Sequence, residues 1–435
     1  MRLLPIILLS ALLGASPASA GQPADPAVIS VLADFVRPKT VPYPADNPYS
    51  AAKAALGEKL FFDTRMSGDG KRSCASCHAP ASGWQDALPR NQGLDGLPLG
   101  RRTPSAQDGA WGELFFWDGR AGSLEAQALG PVQNPREMNQ TLDGMVAVLS
   151  RDHEYHALFA AAFPEDPRIS PATVAKALAT FERTLVSGAT PFDLWVSGDA
   201  DAMGEDAKRG FDVFVGPAGC VSCHSGWQFT DHAFHDIGLP GDDLGRGAVL
   251  NLPELNHAFK TPTLRDVASR APYMHDGSIG TLEGVVEHYR SGIVQRPTLS
   301  PDLPRIDKLT DGQIADLVAF LRALSPNPAP LNSMDRMEVA AAISTAADAA
   351  TGDRTIVQKG KQFSLRHVEI KAGEALKIGN MDTRAHNIRV FEENMDYNSG
   401  YQEPGEQITV PFAEPGTYHV FCGIHPKMKL QVDVK

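Results

Sequence analysis

Beyond its first twenty residues the chain has no apolar run long enough to cross the ~30 Å of a bilayer core. It also has no basic excess: 40 Lys and Arg stand against 52 Asp and Glu, for a formal charge of −12. The first lack excludes a membrane span in the mature chain. The second argues against nucleic acid or an anionic membrane surface as a partner. With 43% hydrophobic and 21% charged residues the composition is that of a globular protein, neither disordered nor coiled coil. Its 435 residues suffice for several domains with cores of their own.

The apolar run that does exist is short and N-terminal. Arg2, then Leu3 to Leu13, then Ala18-Ser19-Ala20 read as a secretory leader cleaved after Ala20, which predicts export to the periplasm. Cysteine is scarce, five in all, and an exported chain would ordinarily use four of them in two disulfides. The spacing argues otherwise. Cys74-Ala75-Ser76-Cys77-His78 and Cys220-Val221-Ser222-Cys223-His224 are both C-x-x-C-H, the attachment motif of c-type haem. In each, two thiols bond the haem edge and the adjacent His78 or His224 offers a nitrogen to the iron. Gly83-Trp84-Gln85 and Gly226-Trp227-Gln228 follow the two motifs, so two related haem units are expected.

The fifth cysteine stands apart. Cys422, His425 and Met428 are spaced at i, i+3 and i+6, with His386 upstream. Two imidazoles, a thiolate and a weak thioether make a type 1 copper centre. Thr417–Phe421 reads as the strand delivering Cys422, and Leu430–Val434 as the returning strand. The segment resembles cupredoxins of the amicyanin, pseudoazurin and plastocyanin type.

Between the sites the pattern is helical. Thr173–Val186, Leu282–Tyr289 and Asp311–Ser325 carry apolar residues at helical spacing, the last behind a Thr310/Gln313 capping box. The expected organisation is therefore a leader (1–20), an N-terminal haem domain (21–198), a second haem domain (199–325), a Pro- and Ala-rich linker (326–353) and an all-β copper sandwich (354–435). Met334–Ala349 within the linker is a candidate helix.

Leu60-Phe61-Phe62-Asp63, Phe116-Trp117-Asp118-Gly119-Arg120, Glu137-Met138 and Ala271-Pro272-Tyr273-Met274-His275-Asp276-Gly277 together resemble the bacterial dihaem cytochrome c peroxidases and MauG. The resemblance implies a peroxidatic haem in the N-terminal half, an electron-transfer haem in the C-terminal half and Trp117 between them. It also implies a distal pocket formed by Gln127 and Glu137. A carboxylate suits the proton transfer that peroxide cleavage needs, and an amide can hold the departing hydroxyl.

Several positions depart from the peroxidase pattern. The histidine that closes the peroxidatic iron in those enzymes has no counterpart near Leu94, and no His lies between His78 and His153. Fourteen residues past His275, where a Met ligand is usual, stands Tyr289, the MauG pattern, with Met274 and His288 as rivals. Arg102 replaces the Asn that holds the family's interhaem calcium, which argues against that ion, although carbonyls near Arg270 and Pro272 are available. MauG's exit tryptophan is here Ala218. Arg265 is a candidate partner for a haem propionate, with a surface arginine as the alternative.

Two covalent haems, one copper and no disulfide are thus expected. Three functions compete: reduction of hydrogen peroxide with electrons relayed from copper through the second haem; MauG-like oxidation of a partner protein; and plain electron carriage. From Arg354 on, eleven Lys and Arg nearly balance ten Asp and Glu, so the acidic excess lies in the haem portion.

Overall fold

The computed structural model describes residues 32–326 apart from Arg305, residues 338–339, and residues 355–435 apart from Glu393. The leader and most of the linker lie outside the described residues. Of the candidate helix at 334–349 only Glu338 and Val339 are described, and they pair as a short parallel strand with Thr40–Val41. No described helix is long and apolar enough to cross a membrane.

The first haem unit is built on α1 (Ala51–Phe62), α2 (Leu124–Gln133) and α3 (Pro171–Thr184). The Ser50 hydroxyl caps the start of α1, and α3 opens on a Ser170/Thr173 capping box with Pro171 in its first turn. Gly57 sits where α1 crosses α3: a Cβ there would lie 2.0 Å from the Ala177 carbonyl oxygen. The second unit repeats the device. Its helices are α4 (Glu205–Val215), α5 (Arg246–Leu250), α6 (Leu282–Glu287) and α7 (Asp311–Ala323). A Cβ on Gly210 of α4 would lie 1.9 Å from the Asp316 carbonyl of α7. Each glycine is followed four residues on by a buried phenylalanine, Phe61 or Phe214, and faces another, Phe181 or Phe320. The two units are thus alike in three dimensions.

Packing does not respect the boundary expected at 198/199. Phe192 and Trp195 belong to the core of the second unit. So does Phe35, whose ring lies 5.9, 5.5 and 4.9 Å from those of Phe192, Phe211 and Phe229. Aromatic rings bury large areas, so these rings, rather than chain order, decide which segments join the second core.

The C-terminal domain is a two-sheet sandwich. Its strands are β1 (Thr355–Lys359), β2 (Gln362–Phe363), β3 (His367–Ile370), β4 (Ala375–Asn380), β5 (Ile388–Glu392), β6 (Met395–Asn398), β7 (Gln407–Pro411), β8 (Gly416–Cys422) and β9 (Lys429–Val434). One sheet runs β6-β5-β8-β9-β3, the other β7-β4-β1-β2. Tyr418, Val420 and Cys422 alternate inward along β8, and Leu430, Val432 and Val434 along β9. This core is continuous with the haem portion: Leu114, Phe234, Leu250, Leu255 and Ala258 pack in the same apolar cluster.

Candidate functional site

A cavity of about 730 Å³ runs between the two haem units. Cys74, Cys77 and His78 line one part of it, and Cys220, Cys223 and His224 another. All four cysteines are free of disulfides. The two histidines are held alike: His78 Nδ1 lies 3.0 Å from the Trp84 carbonyl, and His224 Nδ1 2.9 Å from that of Phe229. A ring whose Nδ1–H donates to a carbonyl is fixed in the tautomer that leaves Nε2 free for a metal. Burial lowers the pKa of both, favouring the neutral, ligating form. The paired thiols, oriented imidazoles and shared cavity fit two covalent haems.

Trp117 lines the same cavity, and so do Gln127 and Glu137. The Trp117 indole N–H donates to the Arg102 carbonyl at 2.8 Å. Gln127 is carried by α2, and Glu137 follows its C-terminal cap, Asn134. The Asn134 amide donates to Glu137 Oε1 at 2.6 Å. Burial raises the Glu137 pKa, while Arg120 and the Asn134 hydrogen bond oppose the rise. Leu94 is outside the residues lining the cavity; its N–H donates to the Arg136 carbonyl at 2.8 Å.

At the second haem motif the helix expected to include Tyr289 stops earlier. α6 ends at Glu287, and Tyr289 falls in a π-helical turn, His288–Gly292. An extra residue in the turn is invisible to a 3.6-residue periodicity. Tyr289 lines the cavity, and burial raises its pKa. Of its rivals, His288 points elsewhere, Nε2 lying 2.9 Å from the Ile237 carbonyl; Met274 also lines the cavity.

Arg265 is neither a surface residue nor part of the cavity wall. It is fully buried, one nitrogen 2.6 Å from both carboxylate oxygens of Asp193, its Nε–H donating to the Trp227 carbonyl. Its Nη2 has no hydrogen-bond partner among the described residues, which leaves one buried donor unmatched. Arg102 bears on the interhaem calcium. Arg102 is buried, and its Nη2 donates to the Gln85 side chain and to the Arg270 carbonyl, each at 2.8 Å. A guanidinium at the carbonyl left for calcium repels a divalent cation, so the residues present do not fit that ion.

In the sandwich, His386, Cys422 and His425 converge. Each Nδ1 approaches Cys422 Sγ, at 3.6 and 3.7 Å, and the two Nδ1 atoms are 3.2 Å apart. All three residues are buried, as is Met428. Asp382 contacts His386 Nε2 at 3.1 Å, turning Nδ1 inward. Burial raises the Cys422 thiol pKa, against N–H groups of Asn387 and His425 aimed at the sulfur, and pushes His425 down to about 3. Three converging soft and borderline donors beside a buried methionine fit copper.

Sequence reasoning missed how this centre is seated. The ligand loop lies on the segment after the second haem motif: the Phe234 N–H donates to the Ile424 carbonyl at 3.4 Å, and Lys427 Nζ to the Thr230 carbonyl at 3.0 Å. The Asp231 N–H in turn donates to the Cys223 carbonyl at 2.7 Å. His235 pairs with Asp231 at 3.1 Å; although burial opposes it, Asp231 and Cys223 together push its pKa up to about 10. No spacing rule relates residues 230–235 to 424–427, so neither contact could be foreseen. The docking ion pairs share one polarity. Arg384 and Lys361 of the sandwich meet Asp302 and Asp231 of the haem portion, at 2.6 and 3.5 Å, and Lys429 meets Glu113.

Comparison with known proteins agrees with this division. A model for di-haem cytochrome c peroxidase matches residues 51–201, one for cytochrome c residues 207–325, and one for a cupredoxin-like domain residues 337–432. The methylamine utilization protein MauG of Methylorubrum extorquens is 50% identical over 302 residues, 69% of this chain and 85% of that protein. The cytochrome-c peroxidase IdrP1 of Denitromonas iodatirespirans is 38% identical over 320 residues, covering 66% and 84%. Among solved structures, a MauG-like protein associated with microbial copper homeostasis superposes with a TM-score of 0.62 at 32% identity, over 70% of this chain and 97% of that one.

Proposed function

Because the chain belongs to the family of dihaem cytochrome c peroxidases and MauG, an oxidoreductase family acting on peroxide, we propose that it is exported to the periplasm and reduces hydrogen peroxide with electrons fed from its own copper domain. When bound, the haem on His78 supplies the iron that takes peroxide, the haem on His224 and the copper at Cys422 supplying one-electron stores. Everything else falls to side chains. Glu137, with one oxygen held by Asn134, is placed to accept a proton from the inner peroxide oxygen and return it to the outer one. Gln127 offers an amide to the departing hydroxyl. Trp117, fixed by its bond to the Arg102 carbonyl, serves as the relay between the two haem units.

The observation that carries the copper-fed reading is the seat of the ligand loop. Lys427 and Ile424 reach Thr230 and Phe234, and Asp231 in the same segment is hydrogen-bonded to Cys223, leaving no separate encounter to wait for. Peroxide mixed with holoprotein reduced at copper should bring up the blue copper band at a rate independent of protein concentration. Copper that stays reduced through turnover would overturn the reading.

Tyr289 favours a second reading, oxidation of residues in a partner protein, since a phenolate stabilises oxidised iron more than a thioether does. Peroxide-driven cross-linking or hydroxylation of an added protein substrate would mark it.

A further inference from the structure

Arg246 opens the short helix α5 in the second haem unit and is 3% exposed. Its guanidinium carbon lies over Phe234, 4.5 Å from the ring centre. Every acceptor it reaches is a main-chain carbonyl on another domain. Nε and Nη2 donate to Gly423 O, at 3.1 and 3.0 Å. Nη1 donates to Asp118 O and Gly119 O, at 3.1 and 2.8 Å. Gly423 follows the copper-binding Cys422, and Asp118 follows Trp117.

We infer that Arg246 is a positioning residue that clamps the copper loop and the tryptophan loop to one point of the second haem unit, setting both the docked geometry and the copper potential. Three observations carry this. The planar donor fork holds two loops at once, which a lysine ammonium cannot match in geometry. Neither loop has slack there: a Cβ on Gly119 would meet Phe234 at 2.3 Å and one on Gly423 would meet Asn387 at 2.3 Å, so both backbones are pressed against their neighbours. Finally, among the described residues the guanidinium has no carboxylate partner of its own. The Asp118 carboxylate is taken by Arg101 and Arg120. Burial lowers the Arg246 pKa to about 10, with Asp118 and Cys422 opposing the drop and Arg389 adding to it, so the group stays charged at neutral pH. A buried positive charge beside the Cys422 thiolate favours the reduced, more electron-rich copper site.

The test uses the full-length holoprotein, with Arg246→Met removing charge and donors and Arg246→Lys keeping the charge. In Arg246→Met, amide hydrogen exchange should rise in both the 117–119 and 423–425 segments, and the copper potential should fall. Copper oxidation after mixing with peroxide should slow about tenfold or more, four charge-assisted hydrogen bonds to two loops being lost, while the initial haem reaction with peroxide keeps its rate. Arg246→Lys should restore most of the potential without restoring exchange protection in both loops together. If Arg246→Met gives no usable protein, the Lys variant alone decides, by protection lost in both loops at a near-normal potential. Exchange unchanged in either segment, or a potential indifferent to loss of the charge, would overturn the inference. The kinetic arm alone rests on the copper-fed reading: wild-type copper untouched by peroxide would sink that reading and leave the exchange and potential tests standing.

Discussion

Glu137 lines the cavity as a half-buried carboxyl group held by Asn134. Replacing it by Gln removes the base but keeps the shape and the Asn134 contact, so peroxide cleavage should slow by roughly 10²–10⁴-fold in stopped-flow traces of the haem band. The pH profile gives an independent reading. Burial raises the Glu137 pKa above its ordinary 4.5, and only the carboxylate can accept a proton. The rate should therefore be full above that raised pKa and fall as pH drops through it, at higher pH than for an exposed glutamate. The Asn134 bond stabilises the anion, so Asn134→Ala should move this limb further up the pH axis, and Glu137→Gln should abolish it. Such residues were legible because they lie in ordered motifs. Asn134 was not, since an amide beside a motif carries no signal until the fold turns it onto the carboxylate. Arg265's partner was not legible either: Asp193 lies 72 positions away, and no local pattern links the two.

At the scale of single elements, the Thr310/Gln313 capping box and the strand that delivers Cys422 were readable because each is set by residues within a turn or two of one another. The two helix crossings were not, although each depends on one small residue. Gly210→Ala would push a methyl group into the Asp316 carbonyl, a main-chain atom that cannot swing aside. It should cost about 3 kcal/mol in denaturant unfolding of the holoprotein, whereas Ala on the open face at Gly312 should cost little. The π-turn makes a separate prediction. If its extra residue turns Tyr289 onto the iron of the second haem, the oxidised protein should show a low-spin haem without the near-infrared methionine–iron band. Tyr289→Phe should then change that haem's spectrum while peroxide still reacts at the other.

For the whole molecule, the near-neutral charge of the copper domain against an acidic haem portion was legible in composition, and the docking contacts have the polarity it suggests. Which residues meet was not, because interfaces join segments with no sequence relation. Arg384 and Asp302 offer a clean test, being partly buried and paired by two hydrogen bonds. Arg384→Glu should slow electron transfer from copper and alter its salt dependence, and adding Asp302→Arg should recover much of the loss. A double variant no faster than the single one would mean that the pair does not help seat the domain.

The position of Phe35 bears on how such a molecule is made. Its ring fills the core of the second haem unit, yet it is synthesised before the whole of the first. Domains generally fold as units, N-terminal ones first. Here the segment around Phe35 must wait, its aromatic face uncovered, until Phe192, Phe211 and Phe320 have been synthesised. Assembly of the two haem units is therefore a matter of timing as well as packing. Nascent chains halted before Phe320 should remain protease-sensitive at their N-terminus even when the first unit has closed.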